Sequence, residues 1–280
     1  MDAQDTALVK LLGDDDPDTV RLVKEQLVRA GPGALPKLSE LLASDDAAVT
    51  ARVKGVLLEI QGLAAESELI DFLRRFGDSD RLEQACWLIA RAMVPGFDPQ
   101  GYVRLLDAWG STLSARIAGT RAPAERVAAL RDLLCGELGF RGNSADYYNP
   151  ANSILPAVID TRLGIPISLS VLFMLVGMRA GIGVAGVNLP GHFIARHEDV
   201  LFDPFHEARL MSLAECTEIM TRQKVATHPH LLDPVRPRRI LLRMLTNLLY
   251  IFEQRNDTGE KARIASWVRA LEPTSPLGGI

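Results

Sequence analysis

Cysteine is scarce in this chain, and where it is missing matters more than how little there is. The 280 residues hold three, Cys86, Cys135 and Cys216. They are widely spaced and form no CxxC, which excludes a disulfide framework and a Cys-rich zinc site and favours a reducing compartment, the cytoplasm. Between Cys135 and Cys216 there is none. Positive charge is not in excess either: 31 Lys and Arg against 35 Asp and Glu leave a net charge of −4. No basic stretch is interleaved with aromatic residues, so the chain lacks the field that would draw nucleic acid or an acidic membrane, and neither partner is expected. Long apolar runs are absent too. The longest, Val171 to Val176 extended through Ala180, is interrupted by Gly177 and Arg179 and is too short to span a bilayer. Residues Met1 to Leu12 carry Asp2 and Asp5 instead of a cationic segment and a long apolar one, so no secretory leader is expected.

What is present is the composition of an ordered protein, 48% hydrophobic and 24% charged, able to bury a sizeable core. Its length allows two domains at about 150 residues each. Residues 8 to 62 repeat at a spacing of 30: Leu8, Leu11, Leu12, Asp15, Asp16 and Leu27 recur as Leu38, Leu41, Leu42, Asp45, Asp46 and Leu57. Each copy predicts a helix ending near the double Leu, an acidic turn, and a second helix closing at Gly31 or Gly62. Val20, Val23 and Leu27, like Val49, Val53, Val56 and Ile60, give those helices one buried stripe. A helix pair of this kind must stack on its neighbours to cover that stripe. The pattern resembles the HEAT family of repeats, as a protein-binding platform or as a helical cap on the next domain. A third, degenerate pair is predicted over Glu66 to Phe76 and Arg81 to Met93, ended by Pro95-Gly96-Phe97-Asp98-Pro99.

Two more helices are predicted between Gln100 and Leu138, the second starting at Pro123-Ala124-Glu125. The period then changes. Val184 to Leu189, Phe193 to Arg196 and Val200 to Phe202 are short apolar runs between turn residues, the pattern of a small sheet. Helical spacing returns from Arg238 to Leu271, and Pro273, Pro276, Gly278 and Gly279 end it.

The chemistry-bearing residues lie between Asn149 and Phe205. A hydroxyl at a helix start (Ser168, with Ser170 after it), His192 at a strand and Asp203 at another follow in an order that supplies the parts of an acyl-transfer site. Gly164 and Pro166 suit the start of a helix, and Ser168 then falls in its first turn beside free backbone N–H groups. Ser168 and Ser170 have an equally simple explanation as residues that cap or back-bond their own helix. Asn149, Asn152 and Ser153 form a polar cluster before the apolar helix Ile154 to Thr161, either as N-caps or as donors lining a cleft. Arg162 suits a carboxylate ligand or the C-terminal end of that helix. Arg196 and Asp203 flank a tight hairpin and are also placed for an ion pair across it. His206 with Glu207, and His228-Pro229-His230, show no metal-ligand spacing, so no metal and no cofactor are expected. Cys135 reads as a buried apolar residue and a poor nucleophile.

Glu137-Leu138-Gly139-Phe140-Arg141-Gly142-Asn143, Tyr147-Tyr148-Asn149-Pro150, Asn152-Ser153, Arg162, Gly164-Ile165-Pro166-Ile167-Ser168-Leu169-Ser170, Gly186-Val187, Pro190-Gly191-His192-Phe193 and Asp203-Pro204-Phe205 together resemble the SirB-type branch of the transglutaminase-like superfamily. The likeness spans roughly residues 100 to 270. It implies an α+β class with a papain-related core, a helix packed across a small antiparallel sheet, between HEAT-like repeats and C-terminal helices that resemble a tetratricopeptide-like tail. The expected division is residues 1–97, 98–235 and 236–280. In ordinary members a Cys opens the helix, a His follows on the next strand and an Asp on the one after. His192 and Asp203 match; Pro166 occupies the Cys slot. At about 100° per residue Ser168 points roughly 200° away from that slot, and Ser170 returns near it one turn on.

Three functions are compatible with these residues. The first is a peptide- or protein-binding pseudoenzyme, favoured by the missing Cys, whose cleft uses Asn149, Asn152, Ser153, Arg162, Pro166, Ser170 and Arg196. The second is a hydrolase or acyltransferase of peptide-like amides, with Ser168 attacking, His192 as base and Asp203 orienting it. The third is a helical-repeat interaction scaffold.

Overall fold

Asp16 begins the ordered architecture. Its carboxylate accepts the N–H groups of Asp18 and Thr19, and Pro17 stands at the first helical position, so helix α1 (Pro17–Ala30) has its free amides satisfied from the start. Thirty residues on, Asp46 does the same for helix α3, accepting from Ala48 and Val49. The acidic turns are thus caps. The computed structural model describes residues 11–42, 46–77, 81–224 and 232–272. Leu8, Asp45, the His228-Pro229-His230 pair, Pro273, Pro276, Gly278 and Gly279 lie outside them.

The chain divides into two units: residues up to Asp71 with Leu88–Asp98, and Phe72–Trp87 with the chain from Pro99 onward. In the first, α1 ends at Gly31, whose φ of 62° is the left-handed value that glycine adopts without strain. A 3₁₀ turn (Gly31–Ala34) leads to α2 (Leu35–Leu41) and then α3 (Ala47–Arg74). Leu12, Val23, Leu27, Leu38, Val53, Val56 and Ile60 form the core, the apolar stripes expected of both copies. Arg52 donates to the carbonyls of Leu12 and Asp14, tying α3 to the turn ahead of α1. Two expectations fail together. Gly62 does not close a helix and no separate helix begins at Glu66, because α3 runs on to Arg74. Gly31 is followed by Pro32, whereas Gly62 is followed by the helix formers Leu63, Ala64, Ala65 and Glu66, and a single glycine costs only about 1 kcal/mol in a helix interior. Helix α4 (Leu82–Met93) stops before Pro95 and Gly96, as the turn cluster predicts.

The second unit contains α5 (Gln100–Arg116), α6 (Pro123–Arg131) continued by a π-helical turn (Asp132–Glu137), a short strand β1 (Arg141–Gly142), a 3₁₀ turn (Pro150–Ser153), α7 (Leu155–Thr161), β2 (Leu163–Gly164) and α8 (Pro166–Arg179). Strands β3 (Val184–Leu189), β4 (His192–His197), β5 (Val200–Asp203) and β6 (Arg209–Met211) follow. Next come α9 (Leu213–Arg222), α10 (Pro237–Gln254) and α11 (Thr258–Leu271). The four strands form an antiparallel meander in the order β3-β4-β5-β6, and β1 pairs with β2 in parallel. Residues Val184 to Leu189 oppose His197 to His192, turned by Pro190 and Gly191, the latter at φ 71°.

Period-2 alternation sends the sheet's side chains to two covers. Val187, Leu189, Ile194 and Leu201 pack with Cys216 and Met220 of α9, while Phe202 meets Phe173 of α8 at 5.8 Å. Helix α8 is apolar almost all round, with Val171, Leu172, Phe173 and Val176 fully buried. Each such side chain contributes roughly 1.5–3 kcal/mol, so this central helix fixes the site's position. On another side α5 approaches so closely that a Cβ at Gly110 would lie 2.3 Å from Cβ of Arg179. Arg179 ends α8 in a bidentate pair with Glu83 and a contact of 2.6 Å to Asp107. The tail helices α10 and α11 pack on each other, and Arg238 donates to the carbonyls of Phe76 and Leu271.

Candidate functional site

The start of α8 is built around one hydroxyl. Ser168 Oγ accepts the N–H of Ile165 at 3.1 Å and lies 2.6 Å from the carbonyl of Asn152 and 3.1 Å from that of Ile165. A Cβ at Gly164 would come within 2.9 Å of this same oxygen, which is why glycine stands there. Pro166 is the first helical residue and is buried, as its missing N–H permits. Ser170 Oγ donates to the Pro166 carbonyl at 2.8 Å, the back-bond of a helical serine. The two hydroxyls therefore bond their own helix and the adjoining turn, and no hydrogen bond joins either to His192.

His192 and Asp203 do meet. Strand β4 begins at His192 and β5 ends at Asp203, and the antiparallel register brings the imidazole Nε2 to 2.8 Å from Asp203 Oδ2. Asp203 is 1% exposed. Its second oxygen accepts the Phe205 N–H at 3.0 Å, which caps the 3₁₀ turn Pro204–His206, and that turn swings His206 Nδ1 to 2.7 Å from the same Oδ2. Burial on its own raises the Asp203 carboxyl. The hydrogen bonds and charges of His192 and His206 outweigh it and hold the group below its ordinary range. Within the described residues the ligand atoms of His192, Asp203 and His206 all lie within 4.8 Å of one another. Separations along the chain gave no hint of this, because His192 sits eleven residues before Asp203 on a different strand.

The other expected site residues are bonded elsewhere. Asn149 caps the 3₁₀ turn by accepting from Ala151 and donates to Asp146. Asn152, buried, donates to the carbonyls of Asp146 and Tyr147 and accepts from Asn143. Neither caps α7, whose N-cap is Ile154. Ser153 is buried, and its hydroxyl has no partner within the described residues. Arg162 ends α7 in the left-handed conformation, φ 63°, and its guanidinium lies over Phe140 at 4.7 Å and Trp109 at 5.2 Å. Burial lowers its pKa. Arg196 donates to the carbonyls of Glu198 and Leu232, so the expected ion pair with Asp203 is replaced by backbone contacts, and Asp203 turns to two histidines instead.

Around His192 the structure adds residues that the sequence did not single out as site residues. Phe205 stands edge-on to His192 at 6.3 Å and to Tyr147 at 6.0 Å. Tyr147 meets Tyr148, and Tyr148 meets Tyr250 of α10 at 5.8 Å. All three tyrosines are exposed. A cavity of about 370 Å³ is lined by Asn188, Phe193, Val235, Arg239, Arg243 and Thr246. Arg243 lies over Phe193 and donates to the Leu189 carbonyl at 3.3 Å. The Tyr147-Tyr148 pair was visible as a motif; Tyr250 and Arg243 are brought in by α10 and had no local signal.

All three thiols are held above their ordinary range. Burial raises Cys86 and Cys135 to about 12, the latter with help from the charge of Glu207, and Cys216 is raised by burial in the sheet core. No helix within the described residues is long and apolar enough to cross a membrane.

Known proteins are similar to this chain in sequence. The UPF0162 protein of Xylella fastidiosa strain 9a5c is 33% identical over 199 residues, 68% of this chain and 71% of that protein. The UPF0162 protein of Pseudomonas aeruginosa is 31% identical over 171 residues, 59% and 62% of the two chains. F-box only protein 21 of Mus musculus is 29% identical over 148 residues, 49% of this chain but 23% of its own length. No solved structure matches. The profile of the Transglutaminase-like superfamily matches residues 100–246, a span that holds α8, the four-stranded sheet and the His192–Asp203 pair, and the chain belongs to that superfamily.

Proposed function

We propose that this is a transglutaminase-like protein of the UPF0162 type that binds a peptide or protein segment without cutting it. One observation supports this: the hydroxyls of Ser168 and Ser170, after the Pro166 that the resemblance puts in the Cys slot, are spent on the carbonyls of Asn152, Ile165 and Pro166. A serine without an adjacent base is a poor nucleophile. The cleft surface remains suited to a ligand. Tyr147, Tyr148 and Tyr250 offer rigid aromatic contact area with polar tips, the composition favoured in binding sites, and Arg239 and Arg243 are among the residues lining a cavity, Arg239 also lying 3.7 Å from Glu272. Asn149, Asn152, Ser153 and Arg162 support the cleft wall in this view, and Arg196 holds Leu232, ahead of α10, by its carbonyl.

The SirB-type branch, HEAT-like character for α1 to α4, tetratricopeptide-like character for α10 and α11, the division at residues 97 and 235, and a cytoplasmic setting belong to the same proposal. Panning a displayed peptide library against the full chain tests it. Enriched acidic or aromatic peptides should bind roughly 10-fold more weakly to Tyr148→Ala or Arg243→Ala. Amide and ester probes should turn over no faster than in buffer.

A second function has its own support in the His192–Asp203 contact of 2.8 Å, the pairing an acyl-transfer site uses to orient its base. Hydrolysis by Ser168, His192 and Asp203 requires Ser168 to leave Asn152. Probe turnover that disappears in Ser168→Ala would establish it and overturn the non-catalytic assignment.

A further inference from the structure

Two imidazoles and a carboxylate converging on one point form a donor set of a recognisable kind. We propose that His192 Nε2, Asp203 Oδ2 and His206 Nδ1 bind a divalent transition-metal ion, with Zn2+ the best fit by ligand chemistry. Imidazole nitrogens suit Zn2+, Co2+, Ni2+ and Cu2+, whereas Ca2+ and Mg2+ take oxygen donors. The three atoms lie within 4.8 Å of one another, with 2.8 Å and 2.7 Å from the two ring nitrogens to the shared oxygen. An ion about 2.0–2.2 Å from each donor needs the two N···O edges to lengthen and the ring nitrogens to stand no more than about 4.4 Å apart, and the His206 ring, 55% exposed, has the freedom to adjust.

The protein holds the set in place from both sides. Asp203 is fixed at the end of β5 by its bond from the Phe205 N–H, and the 3₁₀ turn presents His206 three residues on as the second arm of a local chelate. His192 arrives on the neighbouring strand and is steadied by the edge of Phe205. The buried carboxylate forms the floor and the exposed His206 the rim, so further coordination positions face solvent, the arrangement of an open rather than a closed site. The proton account balances: a ring that donates to Asp203 through its ligating nitrogen gives that proton up to solvent and takes one on its other nitrogen, so each imidazole stays neutral while two N–H···O bonds to Asp203 give way to two metal–nitrogen bonds. The ion would also neutralise a carboxylate that burial otherwise penalises. This site is independent of whether the cleft binds a peptide.

Full-length protein stripped with a chelator and titrated with Zn2+ in a calorimeter, and with Co2+ in an absorption spectrometer, tests the proposal. One ion per chain is expected, with Co2+ bands showing nitrogen ligation. His206→Ala leaves the fold intact by circular dichroism, because the side chain is exposed, and should weaken binding at least ~10-fold, as should His192→Ala. Three results would each overturn the site: no heat or bands at micromolar ion, unchanged affinity in the folded His206→Ala variant, or equal competition by Mg2+.

Discussion

Asp203 makes the clearest residue-scale case, because almost everything around it is arranged to keep a buried carboxylate charged. Its folded carboxyl titrates below the ordinary value of 3.8. The stability it contributes is therefore complete above that value and is lost as pH falls through the lower folded one. Asp203→Asn is expected to cost about 2–3 kcal/mol at pH 7 and to flatten the dependence of stability on pH below 4, measured by urea unfolding across that range. Two serines give an opposed pair. Ser168→Ala leaves the Ile165 amide and Asn152 carbonyl poorly matched and should cost about 1–2 kcal/mol. Ser153→Ala removes a buried hydroxyl that has no partner within the described residues, and should be neutral or stabilise by up to about 1 kcal/mol. Denaturant midpoints of the two variants shifting in the same direction and by the same amount would contradict this accounting.

At the scale of elements, glycine separates a packing constraint from a tolerated residue. Gly110 lets α5 reach the end of α8, and Gly110→Ala should lower stability by about 1–3 kcal/mol, since the new Cβ would meet Arg179 at 2.3 Å. Gly62 lies inside α3 with only Pro95 near, at 3.5 Å, so Gly62→Ala should raise stability by about 0.5–1 kcal/mol. Thermal melts of both variants check the pair. These two glycines also show where the elements were legible. The stripe at Val20, Val23 and Leu27 and the short apolar runs between turn residues at β3 to β5 are strong signals, and both became the elements they predicted. A lone glycine is a weak stop, so the end of α3 was misplaced. Strands β1, β2 and β6 have two or three residues, too few for a period to be seen. The Ser212–Glu215 capping box that opens α9 is a readable signal. It fixes Glu215 as a carboxylate held down to about 2 by the Ser212 N–H, with Arg209 adding to it.

For the whole molecule, net charge is a property no fold can alter. With −4 overall, the chain should leave the fluorescence anisotropy of a labelled 30-base-pair duplex unchanged at about 0.15 M salt; a rise at micromolar protein would show a local basic surface that the total conceals. Composition, periodicity and motif order by themselves determined that this protein has an ordered core, a small sheet between helical stretches of the chain, and a His and an Asp in the order that an acyl-transfer site uses. Those properties belong to single residues or to near neighbours along the chain. Only the tertiary structure decided that Ser168 serves the turn at Asn152, that Arg196 turns from Asp203 to backbone carbonyls, that His206 and Arg243 come to His192 and its strand, and that Tyr250 meets Tyr148. Such pairings depend on register, turn geometry and helix docking, where displacement by one residue sends a side chain to the opposite face.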